Sequence, residues 1–244
     1  MSNFRILLAD DHPVFRLGLR SLLASHEGWE VCGESVDGRD AVEKCAQLKP
    51  DLLILDVCMP RLNGGDAARQ ILKHNADQKI LVVTDVRSEQ VIRECLEAGI
   101  GGWVFKSDGT EEVLSAVEAL QRGRSSFSAG VSELILDGYL EVRPGSAGIR
   151  KLQSRLSLRE REVVQLVSEG KASREVAMTL GMTLKTVETH RSNIMRKLNL
   201  HSVAELVLYA VRNEIIHVHP PGALQFPLRE DGRVKVTAMA LTDF

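Results

Sequence analysis

Five times in its first half the chain repeats one pattern, a short apolar run followed by apolar residues at helical spacing. Phe4 to Ala9 precedes Val14 to Ala24, where Phe15, Leu19, Leu22 and Leu23 share a face. Trp29 to Gly33 precedes Gly38 to Leu48, Asp51 to Leu55 precedes Gly65 to Lys73, Lys79 to Val83 precedes Ser88 to Ala98, and Trp103 to Phe105 precedes Gly109 to Arg122. Few architectures accept such an alternation. It predicts a parallel sheet with helices on both faces. Right-handed crossovers put the first, third and fourth strands side by side, so the expected fold is a five-stranded, flavodoxin-like α/β sheet of order 2-1-3-4-5.

In open sheets of this kind, ligands bind beyond the carboxyl ends of the strands. Leu52-Leu53-Ile54-Leu55 is an apolar run that stops on Asp56. A lone Asp there would be an ordinary strand terminus. Asp10 and Asp11 end the first strand, however, Thr84 the fourth, and Lys106 the fifth. Three converging carboxylates repel one another, and a hard divalent cation with oxygen ligands, magnesium first, relieves that repulsion. Beside such a cation a carboxylate can act as nucleophile toward a phosphoryl group, with Lys106 and the Thr84 hydroxyl stabilising its oxygens.

Asp10-Asp11, Asp56, Thr84 and Lys106 at these spacings resemble the receiver domain of bacterial two-component response regulators, over about residues 3 to 122. The resemblance implies that Asp56 is the phospho-acceptor. It implies a metal set of Asp11, Asp56 and the backbone carbonyl of Cys58, with Asp10 assisting through water. Trp103 matches the family's switch aromatic, which turns inward as Thr84 moves toward the phosphoryl group. Two residues depart from the pattern. Asp85 stands where a small residue is usual, and Trp103 replaces Tyr or Phe.

Charge divides the chain. Residues 1 to 122 hold 14 Lys/Arg against 20 Asp/Glu, and residues 150 to 217 hold 12 against 7, although the whole carries only -2. An acidic half joined to a basic half predicts a polyanion as partner of the second. No apolar run approaches the roughly 20 residues that span a bilayer, and Met1-Ser2-Asn3 runs straight into strand sequence, so the expected compartment is the cytoplasm. Cys32, Cys45, Cys58 and Cys95 form no CxxC pair and suggest neither a zinc site nor a disulfide framework.

The second half reads as four helices. Ser157-Leu158-Arg159-Glu160 and Ser202-Val203-Ala204-Glu205 are capping boxes, and Ser173 and Thr183 are further cap candidates. On the third helix Leu184, Val187, Ile194 and Leu198 form one stripe, and Lys185, Glu188, Thr189, Ser192 and Arg196 lie opposite. Cations reach phosphates there, while hydroxyls and a carboxylate can touch base edges. Leu158-Arg159-Glu160-Arg161-Glu162-Val163, followed by Thr186-Val187-Glu188-Thr189-His190-Arg191-Ser192-Asn193-Ile194, resembles the LuxR-type helix-turn-helix DNA-binding domain over about 155 to 216. The resemblance implies base reading by Glu188, Thr189 and Ser192, with Lys185, Thr186, His190 and Arg196 nearer the phosphates. It also implies dimerisation through the fourth helix, with Ser202, Leu206 and Tyr209 on that face.

Together the halves resemble a NarL/FixJ-type response regulator: receiver 1-122, linker 123-154 with a short helix at Val131 to Leu140, DNA-binding domain 155-216 and an extension 217-244. The extension reads as a hairpin over Leu228 to Val236 or as disorder, and His217 and His219 lack a third metal ligand. The implied protein is not an enzyme but a transcription factor, phosphorylated on Asp56 with Mg2+ by a sensor histidine kinase and binding promoter DNA as a homodimer. In that scheme the unphosphorylated receiver masks the reading helix or the dimer face. A phosphorylation-independent regulator with an atypical receiver is the alternative, and an FMN enzyme is disfavoured because the carboxylates would repel the cofactor's phosphate.

Overall fold

The computed structural model describes residues 3-140 and 156-216. The expectations for His217, His219 and the Leu228 to Val236 hairpin lie outside the described residues.

Strands β1 (Phe4–Ala9), β2 (Trp29–Ser35), β3 (Leu52–Leu55), β4 (Lys79–Thr84) and β5 (Gly102–Phe105) alternate with helices α1 (Pro13–Ala24), α2 (Gly38–Leu48), α3 (Gly64–His74), α4 (Glu89–Glu97) and α5 (Thr110–Gln121). All strand pairings are parallel. Period-2 alternation divides the central strands between two cores. Leu53, Leu55, Ile80 and Val82 face α2, α3 and α4, whereas Ile54, Leu52, Leu81 and Val83 face α1 and α5. β3 is buried on both faces. Its end therefore cannot shift without disturbing both layers, which fixes Asp56 relative to Ala9, whose carbonyl accepts the Asp56 N–H at 2.8 Å.

The sheet has six strands, not five. β6 (Ser126–Phe127) pairs parallel to β5, giving the order 2-1-3-4-5-6. Two residues carry no readable period, and the Gly- and Ser-rich surroundings read as linker. Backbone pairing decides otherwise: Ser126 N–H bonds the Gly101 carbonyl and Ser128 N–H the Trp103 carbonyl, both at 3.1 Å. Helix α6 (Ala129–Leu140) follows, with Val131 fully buried and Leu134 packed against the receiver core. The first part of the connector is thus built into the sheet layer.

The second unit comprises α7 (Leu158–Ser168), α8 (Ser173–Leu180), α9 (Leu184–Leu198) and α10 (Val203–Arg212) around Val163, Val164, Leu166, Val176, Val187, Ile194 and Leu206. Ser157, Thr183 and Ser202 cap α7, α9 and α10 through their hydroxyls. Ser173 does not cap α8. Ala172 is the N-cap, its N–H is taken by Glu175 at 2.7 Å, and the Ser173 hydroxyl instead accepts from Arg191 at 2.6 Å.

Candidate functional site

Asp10, Asp56 and Thr84 are almost completely buried at the carboxyl ends of β1, β3 and β4. Lys106, just past β5, places its Nζ 2.8 Å from both Asp10 Oδ2 and Asp56 Oδ2. The Cys58 N–H donates to Asp56 Oδ1 at 3.1 Å, and the His12 N–H to Asp10 Oδ1 at 2.7 Å. The Lys106 ammonium also lies 4.6 Å from the centre of the Phe15 ring, so the α1 residue read as core forms one wall of the pocket.

The electrostatics are unbalanced. Burial, and then the Asp56 charge, raise Asp10 above its usual pKa, and burial raises Asp11 as well. Burial works against the Lys106 ammonium, yet the Asp56 and Asp10 charges outweigh it and hold Lys106 above its usual value. Burial, together with Asp56, keeps the Cys58 thiol protonated. Cys58 can therefore offer the site its carbonyl, not a thiolate.

One ligand atom each from Asp10, Asp11, His12 and Asp56 lie within 4.8 Å of one another. His12 Nδ1 stands 3.0 Å from the buried Asp11 Oδ1. Three carboxylates beside the Cys58 carbonyl make an oxygen-rich donor set that suits magnesium. Sequence reasoning missed His12, because a residue exposed at the N-cap of α1 carries no periodic signal. It also missed Gly64. A Cβ there would sit 2.0 Å from the Asp56 carbonyl oxygen, so only glycine lets α3 start directly behind the acceptor.

The two departures resolve differently. Asp85 is exposed and lies outside the buried set. Trp103 is 0% exposed, packed in the core with Phe127 and Val131, and its indole Nε1 has no hydrogen-bond partner among the described residues.

On α9, Lys185, Thr186, Glu188, Thr189, Ser192 and Arg196 are all exposed, His190 is half-buried, and Val187 and Ile194 face the core. Leu184, expected in the core stripe, is 37% exposed because it opens the helix. Thr189 Oγ1 donates back to the Lys185 carbonyl at 2.9 Å and Arg196 to Asn193 Oδ1 at 3.0 Å, local bonds that a groove contact can replace. The receiver does not cover this face. On α10 the expected dimer residues are otherwise employed: Ser202 is the cap, Leu206 is 2% exposed in the core, and Tyr209 packs against that core. The large apolar residues exposed there are Val203 and Leu208.

Residues 6-118 match the response regulator receiver domain family, and residues 154-210 match the luxR family of bacterial regulatory proteins. The chain is 31% identical over 212 residues to the response regulator protein VraR of Staphylococcus aureus, covering 87% of this chain and 98% of VraR. Among solved structures it is similar to the Salmonella typhimurium RcsB response regulator, at 28% identity and a TM-score of 0.56, covering 87% of this chain and 99% of the other. It is also similar to RcsB in a two-component response regulator–DNA complex, at 28% identity and a TM-score of 0.52, covering 85% and 98%.

Proposed function

Because the chain belongs to the LuxR-type family of two-component response regulators, which are transcription factors and not enzymes, we propose that Asp56 accepts a phosphoryl group from a sensor histidine kinase and that this controls promoter binding. The observation that carries the proposal is the Lys106 ammonium shared at 2.8 Å between two buried carboxylates, Asp10 and Asp56. Asp11 and Asp56, with Asp10 and the Cys58 carbonyl, would hold Mg2+. That ion would neutralise the carboxylates and the charge building on the phosphoryl oxygens.

The chain's own groups do the rest. An Asp56 oxygen forms the new O–P bond as the donor's bond to phosphorus breaks. Lys106 is already aimed at the acceptor and can follow a phosphoryl oxygen, and the buried Thr84 hydroxyl at the end of β4 can donate to another. With acetyl phosphate and Mg2+ the protein should become labelled, and Asp56→Asn should abolish the label. Equal labelling of both proteins would refute the assignment.

The reading unit, 156-216, would dock α9 in a major groove, as its exposed polar face suits. RcsB has been captured on DNA. Arg196→Ala should weaken binding to all sequences and lower the salt slope by about 1. Thr189→Ala should relax preference at one base pair. For the dimer, the Val203 and Leu208 side of α10 replaces Leu206 as the contact.

One observation favours a second reading. Trp103 is fully buried in the core beside Phe127 and Val131, a packing that leaves its ring no exposed position from which to turn inward. A receiver that signals through packing would bind DNA with the same affinity with and without beryllofluoride and Mg2+, whereas the leading reading requires a difference.

A further inference from the structure

Helix α7 has two working faces. Val163, Val164, Leu166 and Val167 close the DNA-binding core, while Arg161, Glu162, Gln165 and Glu169 meet the receiver. Gln165 is 2% exposed, and both ends of its amide are engaged across that boundary. Nε2 donates to the Met59 carbonyl at 3.0 Å, and Oε1 accepts the Asn63 N–H at 2.8 Å and Asn63 Nδ2 at 3.3 Å. Nearby, Glu169 Oε1 accepts the Arg61 N–H at 3.0 Å, and Arg161 Nε donates to Asp66 Oδ2 at 3.0 Å.

Glu162 also pairs with Arg39 of α2 at 3.0 Å and Arg161 with Glu94 of α4 at 3.9 Å, while the receiver partners of Gln165 and Glu169, and the Asp66 partner of Arg161, lie on the segment that runs from Asp56 into α3. This loop carries Cys58, whose N–H occupies Asp56 Oδ1. It also carries Arg61, in the left-handed region at φ 65°, and ends at Gly64 against the Asp56 carbonyl. The loop is short and tight, and the other half of the chain holds it from outside. Moving Cys58 to admit a cation and a phosphoryl group would break bonds to Gln165 and leave buried polar groups unsatisfied.

We propose that α7 is a brake on the acceptor pocket, with Gln165 the positioning residue that holds the loop between β3 and α3, so that docking of the DNA-binding half and acceptance of a phosphoryl group at Asp56 oppose each other. The proposal rests on the reading of Asp56 as acceptor. Linkage makes the effect reciprocal: whatever factor docking takes from phosphoryl affinity, phosphorylation takes from docking. The brake does not work by hiding α9, whose polar face is exposed in the docked arrangement. It sets how readily the receiver is charged and when α7 is released.

The test uses the full chain and two readouts, amide hydrogen exchange of residues 57-64 and the midpoint of a beryllofluoride titration in excess Mg2+. In Gln165→Ala the Arg61 and Asn63 amides should exchange faster and the midpoint should fall by about tenfold, a typical coupling between two sites. Arg161→Ala, which removes a different contact, should move both readouts the same way by less. Saturating beryllofluoride should speed exchange at the same amides of the unmodified protein. Faster exchange with an unchanged or higher midpoint would overturn the brake, as would unchanged exchange in Gln165→Ala. If the unmodified protein took up no beryllofluoride, the Asp56 reading would fall and the brake with it, although the exchange data would still reveal the docking contact.

Discussion

Two sets of buried carboxylates, one in each half of the chain, are handled in opposite ways. Glu160 in α7 is 5% exposed, yet its oxygens are fully engaged: the Ser157 N–H at 2.8 Å, the Ser157 hydroxyl at 3.1 Å and Lys197 Nζ at 2.6 Å. Burial pushes its pKa up, but the bonds from Lys197 and Ser157 prevail and hold it below the usual 4.5. In the receiver, Asp10 and Asp11 are held above the usual 3.8, because burial and a neighbouring Asp56 outweigh what Lys106 and His12 return. Similar chemistry thus serves two ends. A satisfied carboxylate ties α7 to α9, and a cluster of three carboxylates around the single Lys106 ammonium keeps an excess of negative charge in the pocket.

At a magnesium concentration 100 times the dissociation constant, receiver unfolding should become harder by about 2.7 kcal/mol. Asp11→Asn should lose most of that gain; an undiminished gain in the variant would mean that the cation binds elsewhere. On the satisfied side, Glu160→Gln should destabilise the DNA-binding half by about 2 kcal/mol, because the Lys197 pairing and the capping box go together. Urea unfolding of the full chain would show it, and a loss below about 0.5 kcal/mol, the scale of an ordinary surface change, would make the network incidental.

Acid sharpens the contrast further. The folded Glu160 carboxyl titrates below its unfolded value, so its contribution is complete above pH 4.5 and disappears as pH falls through the lower folded value. The DNA-binding half of Glu160→Gln should therefore lack that part of the acid-unfolding slope. The smallest effect belongs to Asp85, which is exposed. Asp85→Ala should shift stability by no more than about 0.5 kcal/mol and leave labelling by acetyl phosphate close to that of the parent. A large change in labelling rate would place Asp85 back among the groups that control the pocket.

What was legible in the sequence follows the range of the interactions concerned. The first five strands and their helices declare themselves through periods of 2 and 3.6, which need only near neighbours. The caps at Ser157, Thr183 and Ser202 lie within one turn of what they cap. Ser173 was misread because two long side chains, Glu175 and Arg191, competed for the same helix end. β6 was missed because two residues show no period, and Leu206, assigned to the dimer face by the family resemblance, instead lies in the core of its own unit.

Sequence by itself determined the doubly covered parallel sheet, the acidic residues at the ends of its strands, the charge asymmetry and the polar face of α9. Each is a matter of order along the chain, and strand-end residues of a parallel sheet must converge once the strands pair. Only the tertiary structure decided that His12 joins the carboxylates, that Gly64 must lack a side chain, that Trp103 is sealed under β6 and α6, and that Gln165 reaches the loop behind Asp56. Those contacts join residues up to 106 positions apart, and no local pattern carries information over that distance. They depend on how finished layers pack, where close-fitting side chains and satisfied hydrogen bonds select among many arrangements with the same local sequence.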